Sequence, residues 1–229
     1  MVGIGIVAVP AAIVTSALSQ AQNFEREESE SALGSRDDTG KYFKFFREQY
    51  HHSGWENSRS ALNLIVEKLG LCGQRIALAE SCTGGLVSAR LTSVPGASEV
   101  LCGSVVSYRE IAKQDWLGIS ASKLREFSPV SPEVTLAMAC AVLTETPEAT
   151  LAAAVTGHLG PAAPEKLDGT MYVAVVCRDP NTKEARTLIE DEHLLSASPR
   201  EARQIEAADF VLRRIEKILD TKDLPKSYT

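Results

Sequence analysis

The chain has 229 residues, and its 24 basic and 30 acidic side chains give a formal net charge of −6 at pH 7. This length allows one sizeable α/β domain with additional segments. The acidic balance and the lack of a basic cluster argue against nucleic-acid binding. Five cysteines are scattered without a C-x-x-C pair: Cys72, Cys82, Cys102, Cys140 and Cys177. They predict reduced thiols in a cytoplasmic protein, without a disulfide framework or a zinc site.

Residues 1–21 form an apolar segment that differs from the rest of the chain. It carries no charge before Glu25, and at about 1.5 Å per helical residue it is long enough to cross a bilayer. No basic region precedes it, so a signal peptide fits poorly. Residues 3–18, GIGIVAVPAAIVTSAL, resemble the last pore-lining helix of a potassium channel. Two interpretations stay open: a fused or mis-started remnant that contacts a membrane, or an apolar helix packed on protein.

Residues 22–57 combine a linker with an aromatic-rich arm. Residues 22–41 are polar and charged, which is typical of linkers. The arm carries Tyr42, Phe43, Phe45, Phe46, Tyr50 and Trp55. Aromatic side chains this dense usually pack onto the body of a fold or onto another subunit.

The main domain is predicted over residues 58–220, followed by a tail over residues 221–229. Strand patterns such as RIALAE, TLAAAVTG and GTMYVAVVCR alternate with helical patterns such as SPEVTLAMACAVLTET. In that helix Ser131 is the expected N-cap and Pro132 stands in the first turn. The alternation predicts a three-layer α/β/α fold with a largely parallel sheet. Functional sites in such sheets lie at the carboxyl ends of the strands.

The turn Glu80–Gly85, in the stretch AESCTGG, is the first candidate site. Ser81 stands between a predicted strand and a predicted helix, where free backbone N–H groups and the helix dipole favour an anion or a developing oxyanion. Gly84 and Gly85 would let a ligand approach the backbone. The alternative is that Ser81 or Thr83 only caps the helix, and the residues alone favour it. Cys82 is a rival nucleophile without an obvious histidine partner.

Five motifs in order, AESCTGG, GSVVSYREIAK, VSPEV, AVTGHLGP and DGTMYVAV, resemble the CinA carboxy-terminal domain family of PncC-type nicotinamide-nucleotide amidases. The resemblance covers roughly residues 58–219. It implies hydrolysis of nicotinamide mononucleotide to nicotinate mononucleotide and ammonia without a cofactor or a metal. By motif position, it implies that Ser81 is the nucleophile and that Tyr108 and Lys113 assist. It also implies a homo-oligomer, for which the aromatic arm offers a surface.

The resemblance also implies a set of substrate contacts: Glu80, Cys82, Thr83, Gly84, Gly85, Thr156, Gly157 and Arg203. Lys113 can act as a base only when it is neutral. Burial would have to lower its pKa from about 10.4 towards 7–8, at a cost of roughly 4 kcal/mol. The surroundings of Lys113 are half apolar, with Trp116 three residues on, which makes partial burial a reasonable expectation.

The chain departs from the family pattern in two places. In residues 156–164, TGHLGPAAP, the double glycine of the family is missing and His158 is new. In the last helix Pro199 replaces a frequent arginine, so Arg200 and Arg203 are both candidate substrate contacts. An alternative therefore stays open, a non-catalytic nucleotide-binding or regulatory module that kept the fold.

Overall fold

The computed structural model describes residues 54–164, 166–221 and 224. The predictions for the apolar segment, the linker and the arm as far as residue 53 lie outside the described residues. Among the described helices, none combines the length and the apolar character needed to cross a bilayer.

Helices and strands alternate along the described chain. In order, the elements are α1 (Gly54–Leu71), β1 (Ile76–Glu80), α2 (Leu86–Thr92), a short 3-10 helix (Ala97–Glu99), β2 (Leu101–Val106), α3 (Glu110–Leu117), α4 (Ala121–Phe127), α5 (Pro132–Glu145), β3 (Leu151–Gly157), β4 (Thr170–Arg178), β5 (Ala185–Leu194) and α6 (Arg200–Leu219). The start of α5 matches the expectation from sequence. The Ser131 side chain accepts the Val134 N–H at 3.2 Å, and Pro132 is the first helical residue.

The sheet contains five strands in the order β2-β1-β3-β4-β5. β1 pairs in parallel with β2 and β3, whereas β4 pairs antiparallel with β3 and β5. Four of the five strands therefore run in one direction and only β4 is reversed, so the predicted largely parallel sheet is confirmed. The connection between β3 and β4 contains no helix among its described residues. A direct connection of this kind suits an antiparallel pair, because parallel neighbours need a crossover.

Helices cover both faces of the sheet, which confirms the three layers. One face carries large aliphatic side chains, among them Ile76, Leu78 and Leu151, under α1, α2 and α6. The opposite face is largely alanine in the centre, and α3, α4 and α5 pack there. The carboxyl ends of β1, β2 and β3 meet at one edge of the sheet, where the candidate site lies.

Candidate active site

The turn after β1 is organised by the carboxylate of Glu80. This side chain is 1% exposed, although a buried carboxylate is costly without partners. Its two oxygens accept hydrogen bonds from the Thr83 hydroxyl (2.7 Å), the N–H groups of Gly85 (3.0 Å), Val87 (3.1 Å) and Ser88 (2.9 Å), and the Ser104 hydroxyl (3.3 Å). A negative charge at the N-terminal end of α2 also interacts favourably with the helix dipole.

The anion cradle predicted for residues 82–85 is therefore partly occupied by the protein itself. The Gly85 N–H donates to Glu80, and the Gly84 N–H donates to the Ser81 carbonyl at 3.1 Å. The oxygens of Glu80 hold the turn, and the substrate contact that the resemblance implies for Glu80 stays a prediction. Within the described hydrogen bonds, the N–H groups of Cys82 and Thr83 have no acceptor from another residue. The oxyanion role implied for the turn stays a prediction, and it would fall to these two N–H groups.

Two glycines are required by the backbone of this turn. Gly84 and Gly85 have φ angles of 62° and 95°, in the left-handed region that side chains with a Cβ disfavour. A Cβ at Gly84 would also lie 3.0 Å from the Gln204 side chain. The glycines thus have a clear conformational role, whether or not a ligand approaches them.

Ser81 and Lys113 line the same cavity, which has a volume of about 530 Å³. Ser81 is 6% exposed and follows directly after β1. Tyr108, Glu110 and Val130 are among the other lining residues. The structure thus brings together the three residues implied as catalytic, although they come from two separate segments of the chain.

Lys113 is 1% exposed, on α3. Its Nζ donates to Sδ of Met138 on α5 at 3.1 Å, and a thioether is a weak acceptor. Burial lowers the pKa of Lys113 from 10.5 to about 8, against smaller opposing effects of Cys82 and Glu110. Trp116, the apolar neighbour that the local sequence indicated, is itself 61% exposed. The lysine instead contacts Met138, a neighbour that the local sequence did not indicate.

Ser81 and Lys113 are not hydrogen-bonded to each other among the described residues. No bond to Ser81 Oγ occurs there, and Lys113 Nζ is directed to Met138. Direct transfer of a proton between them would require a movement of the side chains or an intervening group.

The thiol of Cys82 is a poor competitor for the role of nucleophile. The residue is 4% exposed, and burial raises the pKa of the thiol to about 12. A thiol in this state has almost no thiolate at neutral pH. Its Sγ lies against Gly157, where an added Cβ would be 3.1 Å from the sulfur.

Tyr108 lines the cavity and is hydrogen-bonded to Arg200. Tyr108 is 59% exposed, and its hydroxyl accepts a hydrogen bond from Arg200 Nη2 at 2.9 Å. Arg200 Nη1 also donates to the Gly160 carbonyl. Arg200, at the start of α6, therefore links Tyr108 to the segment between β3 and β4.

Arg203, the predicted substrate contact in α6, is held in an ion pair. Its guanidinium donates to both carboxylate oxygens of Asp168, at 2.8 and 2.9 Å, and to the Ala197 carbonyl at 3.1 Å. This pairing lowers the pKa of Asp168 and raises that of Arg203. Neither Arg203 nor Arg200 is among the residues that line the cavity, but Arg200 contacts the lining residue Tyr108. No local sequence pattern distinguishes the two arginines. Their difference comes from distant partners, Tyr108 for Arg200 and Asp168 for Arg203.

Thr156 lies at the end of β3 and is fully buried. Its hydroxyl is 2.8 Å from the Thr135 hydroxyl, which donates to the Ser131 carbonyl at 2.6 Å. Since Thr135 has a single hydroxyl proton, Thr156 must be the donor to Thr135. The hydroxyl oxygen of Thr156 can still accept a hydrogen bond through its lone pairs. The substrate role implied for Thr156 therefore stays a prediction.

His158, the residue foreign to the family pattern, follows Gly157 directly. Its Nε2 is buried and has no hydrogen-bond partner among the described residues. Burial lowers the pKa of the imidazole. Among the described residues, no group of three or more His, Cys, Asp or Glu side chains is arranged to hold a metal ion.

Fold and site together define a three-layer α/β domain with a buried serine and a buried lysine in one cavity at the carboxyl edge of its sheet. The chain belongs to the CinA C-terminal domain family, whose family model matches residues 59–219.

Similar curated proteins and similar crystal structures belong to the same group of proteins. A CinA-like protein of Mycobacterium tuberculosis is 38% identical over 141 residues, which cover 61% of this chain and 32% of the relative. A crystal structure of a competence/damage-inducible protein from Agrobacterium tumefaciens is 29% identical with a TM-score of 0.64, covering 72% of this chain and 96% of that one. A CinA superfamily protein from Klebsiella pneumoniae is 26% identical with a TM-score of 0.63, covering 71% and 97%. The chain thus spans about a third of the length of the curated relative and nearly all of the two solved ones.

Proposed function

We propose that the domain is a serine–lysine amidase that hydrolyses the carboxamide of nicotinamide mononucleotide. The observation that carries the proposal is Lys113, a lysine that is 1% exposed with a pKa lowered to about 8 and that shares a cavity with Ser81. A buried lysine of this kind can be a neutral base near physiological pH. The cavity volume of about 530 Å³ falls in the range of small-molecule sites.

In the proposed reaction the proton of the Ser81 hydroxyl passes to the neutral amine of Lys113. Ser81 Oγ then adds to the carboxamide carbon, and the carbonyl oxygen becomes an oxyanion facing the N–H groups of Cys82 and Thr83. The C–N bond breaks as the Lys113 ammonium returns the proton to nitrogen, which releases ammonia. Lys113 then takes a proton from water, the resulting hydroxide adds to the acyl-serine ester, and the proton returns to Ser81 Oγ as the carboxylate leaves.

Tyr108 and Arg200 would act on the substrate side of the cavity. The exposed Tyr108 ring can cover one side of a bound pyridine, and its hydroxyl is oriented by Arg200. Arg200 adds positive charge beside Tyr108, which favours a substrate that carries a phosphate. A role for Arg203 would require substrate to compete with Asp168, so it remains a prediction.

The test is ammonia release from nicotinamide mononucleotide by the full chain, compared with Ser81→Ala and Lys113→Ala. Both variants should lose turnover by at least about a thousandfold while their circular dichroism is retained. Ser122→Ala and Lys217→Ala, which change exposed residues, are the matched controls. For the unmutated protein, kcat/KM should rise with pH through about 8 as Lys113 loses its proton.

A non-catalytic nucleotide-binding module is the second candidate. Two observations favour it: Lys113 is directed to Met138 and not to Ser81, and residues 156–164 depart from the family pattern. Binding of the mononucleotide by calorimetry without any ammonia release would select this candidate over the amidase.

A further inference from the structure

Ser107 is a buried hydroxyl that the reaction above does not use. The residue is 0% exposed, and its Oγ has no hydrogen-bond partner among the described residues. Leaving a buried hydroxyl unpaired costs roughly 1–3 kcal/mol. Such groups are rare in folded proteins and call for an explanation in terms of structure or function.

The strand register places Ser107 beside the turn that carries Ser81. Glu80 pairs with Val106 at the end of the β1–β2 ladder. The Ser107 N–H continues this pairing by donating to the Glu80 carbonyl at 2.8 Å. Ser81 and Ser107 are therefore the first residues after two adjacent parallel strands.

The two serines also follow the same face of the sheet. Ala79 and Val105 form the pair two residues before them; Ala79 belongs to the core under α3, α4 and α5, and Val105 packs against that core. Side chains alternate along a strand, and this alternation, continued one residue past each strand end, directs both serines to that face. Lys113 reaches this face as well, since its Nζ contacts Met138 of the same core.

Ser107 and Lys113 have complementary unused hydrogen-bonding capacity. A lysine ammonium has three donors, and the described acceptor for Lys113 is one thioether sulfur. A neutral lysine needs a donor for its lone pair. A serine hydroxyl supplies both kinds of partner, with one donor and two acceptor lone pairs.

We propose that Ser107 relays the proton between Ser81 and Lys113. In this step the Ser107 hydroxyl gives its proton to the neutral Nζ of Lys113 and takes the proton of Ser81 on the same oxygen. Ser107 is regenerated, Lys113 becomes an ammonium, and Ser81 Oγ is left to attack its electrophile. The inference rests on the proposed nucleophilic role of Ser81, but not on the identity of the amide. The relay requires these side chains to turn toward one another, because Ser107 Oγ has no hydrogen-bond partner among the described residues and Lys113 Nζ is directed to Met138.

The test measures the reactivity of Ser81 itself. The full chain is treated with phenylmethanesulfonyl fluoride between pH 6 and 10, and sulfonylation of Ser81 is followed by mass spectrometry. The unmutated protein should react with a rate that rises and levels off as Lys113 loses its proton. Ser107→Ala should react at least tenfold more slowly, and its rate should rise with pH without a plateau. Ser107→Thr keeps the hydroxyl and should restore the plateau, while Ser81→Ala is the blank and Ser122→Ala the matched control.

The shape of the pH profile separates a relay from a structural role. If Ser107→Ala keeps the plateau of the unmutated protein, the inference is overturned, whatever the rate. If Ser107→Ala does not fold, as judged by circular dichroism, then Ser107→Thr decides in the same way: a retained plateau supports the relay and a lost plateau overturns it. Absence of any Ser81 labelling in the unmutated protein also overturns the relay. Labelling with the expected profile but no ammonia release supports the relay and refutes only the proposed substrate.

Discussion

The buried charge of Lys113 should lower the stability of the folded domain. Its pKa is 10.5 in the absence of burial and about 8 in the folded protein. The difference of about 2.5 pH units, at about 1.36 kcal/mol for each, corresponds to about 3 kcal/mol. Because the side chain is 1% exposed, solvent screening does not remove this penalty. Replacing Lys113 with methionine removes the charge and keeps an unbranched side chain of similar length.

The penalty should depend on pH in a defined direction. Below pH 8 the lysine is protonated in both the folded and the unfolded chain, so the whole cost is present. Between about pH 8 and 10.5 the folded protein has lost this proton while the unfolded chain still holds it. Stability therefore rises with pH over this window. At pH 7 Lys113→Met should be more stable than the unmutated protein by about 3 kcal/mol, and the difference should largely disappear by pH 10.5.

Urea unfolding at intervals from pH 6 to 10.5 measures this difference directly. Taking the difference between two proteins cancels the titration of the cysteines and tyrosines that they share. Lys217→Met, which removes one positive charge from an exposed position, separates the effect of burial from that of net charge. A stability difference that stays constant over the whole pH range would refute the reasoning, because Lys113 would then titrate alike in both states. The proposed base would lose its main support at the same time.

Other predictions concern the turn, the packing below it and Arg200. Glu80→Gln should lower stability by about 2 kcal/mol, because charge-assisted bonds to the start of α2 are lost; a urea midpoint unchanged from that of the unmutated protein would contradict this role. Gly157→Ala should destabilise by about 1–3 kcal/mol, since a Cβ there would approach three side chains within 3.3 Å. Thermal unfolding measures this loss, and Gly103→Ala, whose added Cβ would meet nothing within 4 Å, should be nearly neutral in that assay. Arg200→Ala should lower kcat/KM for the mononucleotide about tenfold, as expected for loss of one hydrogen bond to Tyr108; steady-state kinetics with no change would separate Arg200 from the site.

Several features of the fold were predictable because their causes are local in the sequence. The N-cap at Ser131 and the proline after it define the start of α5 without help from distant residues. The apolar run of β1 ending at Glu80 indicates a buried strand, and the glycines after it indicate a tight turn. Ser81 therefore falls at a strand end, where sites occur in this class of fold.

The partners of the site residues depend on contacts between distant parts of the chain. Lys113 is isolated from water on a face shared with Met138, which lies 25 residues further on. Arg200 reaches Tyr108 across 92 residues, and Arg203 meets Asp168 across 35. Periodicity and capping describe interactions within a few residues, so they could not distinguish the two arginines. The sequence by itself determined the order of the elements and the position of Ser81. Only the tertiary structure decided the pKa of Lys113, because removal from water depends on everything packed around the side chain.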